Sequence, residues 1–234
     1  MLEIKSVAAG NALNWYKCGW KVFSADMVNW VLMTLIFFVI VIVLGFIPLL
    51  GVIGVYLLLP MLQAGMIRSA GKAAQGEAID INDLFAVFKM KDRRNALLAL
   101  GGIMLATVIA VMVLSLPFIG GGVLSSMSET PVGGMSVLPV IGAGGLLFAV
   151  TAGLLMAMMF FHAPTLIILR DMGPVDAIKT SFAGAWMNLL PFVIFMLVYA
   201  GLAVVASIPF GLGFLVLLPV VMAGSYCSYK DIFV

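Results

Sequence analysis

Six stretches of this chain are long and apolar enough to cross a bilayer, and this limits the fold more than any other feature. They are 27–47, 49–67, 96–118, 140–169, 189–208 and 211–226, against the roughly 20 residues a spanning helix needs. Hydrocarbon offers backbone groups no water, so each stretch must pair its own N–H and C=O groups as a helix. Hydrophobic residues make up 64% of the chain and charged residues 9%, where soluble domains average about 45–50% and about 25%. That balance excludes a soluble enzyme, a nucleic-acid binder and a disordered tail. The fourth stretch exceeds one perpendicular span, so it is expected to tilt or to begin as a short segment on the outer surface.

The charges are sorted. All 12 Lys and Arg residues fall before the first stretch, between the second and third, between the fourth and fifth, or after the sixth. The segments around Pro48, from 119 to 139 and around Pro209 contain none. The bias of basic residues toward the cytoplasm places both termini on that side. FIPLLG (46–51) and SIPFGLG (207–213) read as tight outer reversals, and 119–139 reads as a flexible Gly/Ser-rich loop with one acid, Glu129. The opening MLEIKSVAAG lacks the pattern of a signal peptide, so the first span is expected to drive insertion. Cys18 and Cys227 stand beside Lys17 and Lys230, and in the reducing cytosol they are expected as free thiols.

The pattern predicts an all-α, polytopic fold of one integral membrane domain, 1–234, built from three parallel helix-pair repeats. The units are approximately 7–75, 80–173 and 174–234. Each runs from a charged amphipathic segment to a span, Pro–Gly punctuation, and a second span with a proline near its inner end. IPLLG with Pro60, LPFIGG with Pro164, and IPFGLG with Pro219 are the markers, and Asn29, Asn95 and Asn188 lie near the starts of the first spans. Units that begin and end on one side are related by an axis along the membrane normal. The amphipathic segments read as interfacial helices on the cytoplasmic side. Leu13, Tyr16, Trp20 and Phe23 form one apolar face; Ile81, Leu84, Phe85 and Phe88 form a second, with Asp80 as cap. Val175, Ile178, Phe182 and Trp186 form the third, after Gly173-Pro174.

Ionisable residues inside a membrane are the first candidates for function, because burying them in hydrocarbon is costly. No Asp, Glu, Lys or Arg falls well inside any stretch, which removes the usual machinery of a proton- or sodium-coupled pump. His162 is the exception. It reads either as a ligand group for a bound lipid or quinone or, more economically, as a neutral imidazole bonded to a carbonyl freed near Pro164. Gln63 and Tyr199 join His162 as candidate ligand-binding residues, each also suited to bonding between helices. Lys89, Lys91, Arg93 and Arg94 form a short basic cluster that fits contact with anionic lipid headgroups. Gly102, Ala106 and Ala110, and Gly145, Ala149, Gly153 and Ala157, make small-residue ridges, expected to pack within the bundle or, as the alternative, against a partner. No metal site, cofactor or nucleophile–base pair can be assembled, so the chain is expected not to be an enzyme.

The segments AAGNALNWYKCGWKVF, IPLLGVIGVYLLLP with MLQAGM, HAPTLIILRDMGPVDAIKTSF and IPFGLGFLVLLPVVMAGSYCSYKDIF carry a resemblance across nearly the whole chain. It is similar to a family of uncharacterised six-helix inner-membrane proteins of Gram-negative bacteria. More distantly it resembles the YciC-like proteins and the membrane domain attached to some glycerophosphodiester phosphodiesterases. The resemblance implies a bacterial inner-membrane location and the same architecture, and transfers no catalytic residue. The primary functional expectation is a non-enzymatic protein acting by contact, as an accessory, scaffold or envelope-maintenance factor. Its partners would be the bilayer and a membrane protein or second copy, with no nucleic acid. The alternative is a carrier or binder of an apolar, lipid-like molecule such as a lipid or quinone.

Overall fold

A computed structural model describes the backbone of residues 3–128 and 143–234, with side chains described outside 119–143. Among the described residues the fold is helical throughout. Its elements are α1 (Asn11–Ser24), α2 (Met27–Gly45), α3 (Leu50–Ala74), a 3-10 helix (Ile81–Lys89), α4 (Lys91–Ser128), α5 (Ala143–Phe160), α6 (Ala163–Arg170), α7 (Pro174–Met187), α8 (Leu189–Ser207) and α9 (Phe214–Ile232). An antiparallel bridge pairs Ile4 with Phe233.

Among the described residues, five helical runs have the length and apolarity to cross a membrane: Met27–Gly45, Leu50–Ala74, Lys91–Phe118, Gly144–Arg170 and Leu189–Ser207. The expected sixth stretch, 211–226, falls on α9, which is not in that set because Ser225–Asp231 makes its second half polar. The fourth stretch differs from the expected continuous span. It breaks at Phe161 and His162 into α5 and α6, with Pro164 in the first turn of α6, where a missing N–H costs nothing. The expected outer loop also differs, since α4 continues through Ser128; Glu129 and the rest of that loop lie outside the described residues.

Large apolar side chains stay exposed around the belt of the bundle, among them Val39 and Val43 on α2, Met112 and Leu116 on α4, Leu147 on α5, and Leu197 and Val204 on α8. A surface of this extent facing outward is a lipid-facing surface. The core forms where α2, α3, α6, α8 and α9 meet, around Trp30, Met33, Met61, Leu166, Phe195 and Val221.

α1, the 3-10 helix and α7 each pack on other helices of the bundle. The 3-10 helix lies on α3, α7 lies on α5 and α6, and α1 returns to lie on α9. Glycine makes two of these approaches possible: a Cβ at Gly19 would meet the Val220 carbonyl, and one at Gly65 would meet the Leu84 carbonyl. The α1 residues that pack on α9 are only partly those of the apolar face read from the sequence. Ala12, Trp15, Gly19, Val22 and Phe23 are buried, while Leu13 and Trp20 each remain 51% exposed. The small residues allow the closer approach, and α9 takes that face. The second segment is also not the expected α-helix. Leu84 and Val87, its buried pair, sit three residues apart, matching the 3-10 repeat. Its cap is as expected and reciprocal: Asp80 accepts from the Asn82 N–H, and Asp83 accepts from the Asp80 N–H.

The α1–α9 contact overturns the expectation of free thiols. Cys18 and Cys227 are joined by a disulfide, their Cα atoms brought to 6.4 Å by the close helix approach, within the range such a bond spans. The small-residue ridges pack within the bundle only in part: Gly145 is buried and Gly102 and Ala157 are half-buried, while Ala106 and Ala110 on α4, and Ala149 and Gly153 on α5, are exposed.

Candidate functional site

A cavity of about 400 Å³ lies in the middle of the bundle, walled by residues of α2, α3, α4, α5, α6, α8 and α9. Pro60 inside α3 and Pro164 at the start of α6 both line the wall. Most of the lining is adaptable apolar surface, including Met104, Met156, Met196 and Met222 with Phe37 and Phe160.

Two polar side chains interrupt that lining. They are Gln63 of α3 and Tyr199 of α8, both picked out in the sequence. Neither makes a side-chain hydrogen bond among the described residues, so an amide and a phenol stand available in an otherwise apolar chamber. Such a chamber suits an apolar molecule with one or two polar atoms, as a lipid ester or a quinone has. Tyr16 of α1 closes in from the surface: its ring stacks on Phe195 at 4.4 Å and its hydroxyl donates to the Phe195 carbonyl at 2.8 Å. Burial holds that hydroxyl above its ordinary pKa, and Tyr199 raises it further.

His162 is not part of this cavity. It sits at the break between α5 and α6, fully buried, with Nε2 2.9 Å from the Ser228 hydroxyl. The expected bond to a carbonyl near Pro164 is replaced by this serine, which α9 carries to the imidazole. The His162 N–H donates to Ser181 Oγ at 3.1 Å, and that hydroxyl donates to the Met158 carbonyl at 2.8 Å. Ser181 of α7 thus satisfies two backbone groups that the helix break leaves open. Neither serine carried a signal in the sequence, since each acts only through a contact between distant segments.

The expected lipid-contact cluster is divided. Lys89 and Lys91 are exposed, but Arg93 forms a two-pronged pair with Asp171, one arm at 2.7 Å, and Arg94 reaches the Phe88 carbonyl at 3.4 Å. The Arg93 guanidinium, bonding to Asp171, holds that carboxyl below its usual range. Among the described residues no group of three or more His, Cys, Asp or Glu is placed to hold a metal ion.

The chain is similar to Probable inner membrane protein BTH_II0599 of Burkholderia thailandensis, with 24% identity over 97% of this chain and 91% of that one. No family model matches the chain, and no solved structure matches it. Together with the apolar helices, the similarity places the chain among membrane proteins.

Proposed function

We propose that the protein is a non-enzymatic inner-membrane protein that binds an apolar, lipid-like molecule in the central cavity. The observation that carries this reading is the pair Gln63 and Tyr199, unbonded in a chamber of about 400 Å³. Both side chains are half-buried and without a hydrogen-bond partner among the described residues, and a bound ligand would supply one. On this reading the chain is one domain of six spans in three parallel repeats, with both termini cytoplasmic. The cyclic packing of surface elements on spans supports the repeat, as do Gly65 and Gly224, each five residues beyond a helix proline. The distant likeness to an inner-membrane protein supports the location. The proposed kinship to YciC-like proteins and to phosphodiesterase membrane domains rests on the sequence segments quoted above.

A second reading has its own observation. The outward small residues Ala106, Ala110, Ala149 and Gly153 suit close approach of a neighbouring membrane helix, which supports an accessory or scaffold role. Native mass spectrometry of protein gently extracted from its own membrane separates the two. A lipid or quinone retained in fixed ratio, and lost on Met104→Trp or Gln63→Ala, is the expected result. A retained partner protein with an empty cavity would overturn the binding reading in favour of the scaffold.

A further inference from the structure

At the end of the bundle that carries the basic residues, a second cavity of about 530 Å³ opens between α3, α6 and α9. Four cationic side chains line it: Arg68 and Lys72 from α3, Arg170 from α6 and Lys230 from α9. Among the described residues that line it there is no Asp or Glu. Lys72 is partly compensated from outside the cavity, where its Nζ meets Asp83 Oδ2 at 2.7 Å. The other three have no ion pair among the described residues.

Their surroundings arrange them as donors. Arg170 Nε donates to the Tyr229 hydroxyl at 2.7 Å, with the guanidinium carbon 5.9 Å from the ring centroid. That bond fixes the fork and leaves its remaining N–H groups available. Arg68 meets only a thioether, its Nη1 3.7 Å from Met90 Sδ, a weak acceptor. Like charges gathered in one concavity repel each other, and an anion with several oxygens would relieve that repulsion while accepting from the guanidinium forks. Sorting of basic residues to one membrane face needs them only somewhere on that rim. Convergence from three helices far apart in sequence asks for a further cause.

We propose that this cavity is a binding site for a phosphate-bearing anion, either a phospholipid headgroup or a soluble phosphate compound. Basic pockets between membrane helices at the bilayer surface are suited to such groups. The site is separate from the cluster of Lys89, Lys91, Arg93 and Arg94, and does not depend on what fills the apolar cavity.

The test uses purified full-length protein in a zwitterionic detergent. It is titrated with phosphatidylglycerol, read by native mass spectrometry, and separately with radiolabelled inorganic phosphate, read by equilibrium dialysis. Saturable binding in at least one arm is expected, weakened about tenfold by Arg68→Gln and again by Lys230→Gln, each removing a charge-assisted donor. Lys230 makes no side-chain bond among the described residues, so its variant tests the site without disturbing the fold. The pair Lys89→Gln and Lys91→Gln, an equal loss of charge outside the cavity, should leave binding within about twofold. Response to the lipid alone identifies a headgroup site, and response to phosphate identifies a site open to soluble anions. Absence of saturable binding in both arms, or equal weakening by the Lys89/Lys91 pair, would overturn the proposal.

Discussion

Gly65 of α3 lies against the Leu84 backbone so closely that a Cβ would strike the Leu84 carbonyl. This contact seats the 3-10 helix on its span, and Gly19 does the same for α1 on α9. Gly65→Val is expected to lower the unfolding free energy in detergent by about 1–3 kcal/mol, the usual cost of overpacking. Gly102→Ala, with open space where the methyl would go, should cost nothing or stabilise by up to about 1 kcal/mol. Thermal unfolding followed by tryptophan fluorescence compares them, and equal effects would mean that the close approach carries no weight.

Ser181 stands between His162 and Met158 as both acceptor and donor. Replacing it by alanine leaves two buried backbone groups without partners, at about 1–3 kcal/mol. Hydrogen exchange should then rise at the α5–α6 break before it rises elsewhere. Unchanged protection at residue 162 would show that the hydroxyl does not hold the break.

The Asp171 carboxylate, paired with Arg93, keeps its charge to lower pH in the folded protein than in the unfolded chain. A depressed folded pKa contributes stability at pH above the ordinary carboxylate range and loses it as pH falls through the folded value. Acid titration below about pH 4 should therefore loosen the α6–α7 turn from the start of α4. Asp171→Asn should remove that dependence while tolerating the left-handed backbone, φ 53°, at this position. Amide exchange at residues 171–173, measured against pH in both proteins, checks this.

Cys18 and Cys227 tie α1 to α9. Alkylation of the unreduced protein should leave its intact mass unchanged, and alkylation after reduction should add two groups. Cys18→Ser is expected to lower stability by about 2–4 kcal/mol. Labelling of both thiols without reductant would show the pair to be open.

Asn188 holds the start of the chain in place. Its Oδ1 accepts from the Val7 N–H at 2.8 Å, and its Nδ2 donates to the Lys5 carbonyl at 2.9 Å. Asn188→Ala should release residues 4–8 to rapid hydrogen exchange and expose them to protease. Continued protection would assign the anchoring to the Ile4–Phe233 bridge alone.

The sequence by itself determined that the chain is helical and belongs in a membrane, because length and apolarity decide whether a segment can satisfy its backbone without water. It also singled out Gln63 and Tyr199, since polar side chains in apolar runs are conspicuous without any knowledge of neighbours. Pro164 pointed to a freed carbonyl but not to the break at Phe161 and His162; where α5 ends depends on Ser181 reaching it from α7. The apolar residues of α1 permit two stripes, and only the presence of Gly224 and Val220 opposite Gly19 selects the one that packs. Tertiary structure alone decided that Gln63 and Tyr199 share a cavity while His162 does not. It decided too that Cys18 meets Cys227, and that Arg68, Arg170 and Lys230 face one space. These are meetings between residues far apart along the chain, fixed by which helix surfaces approach closely, and no local pattern encodes them.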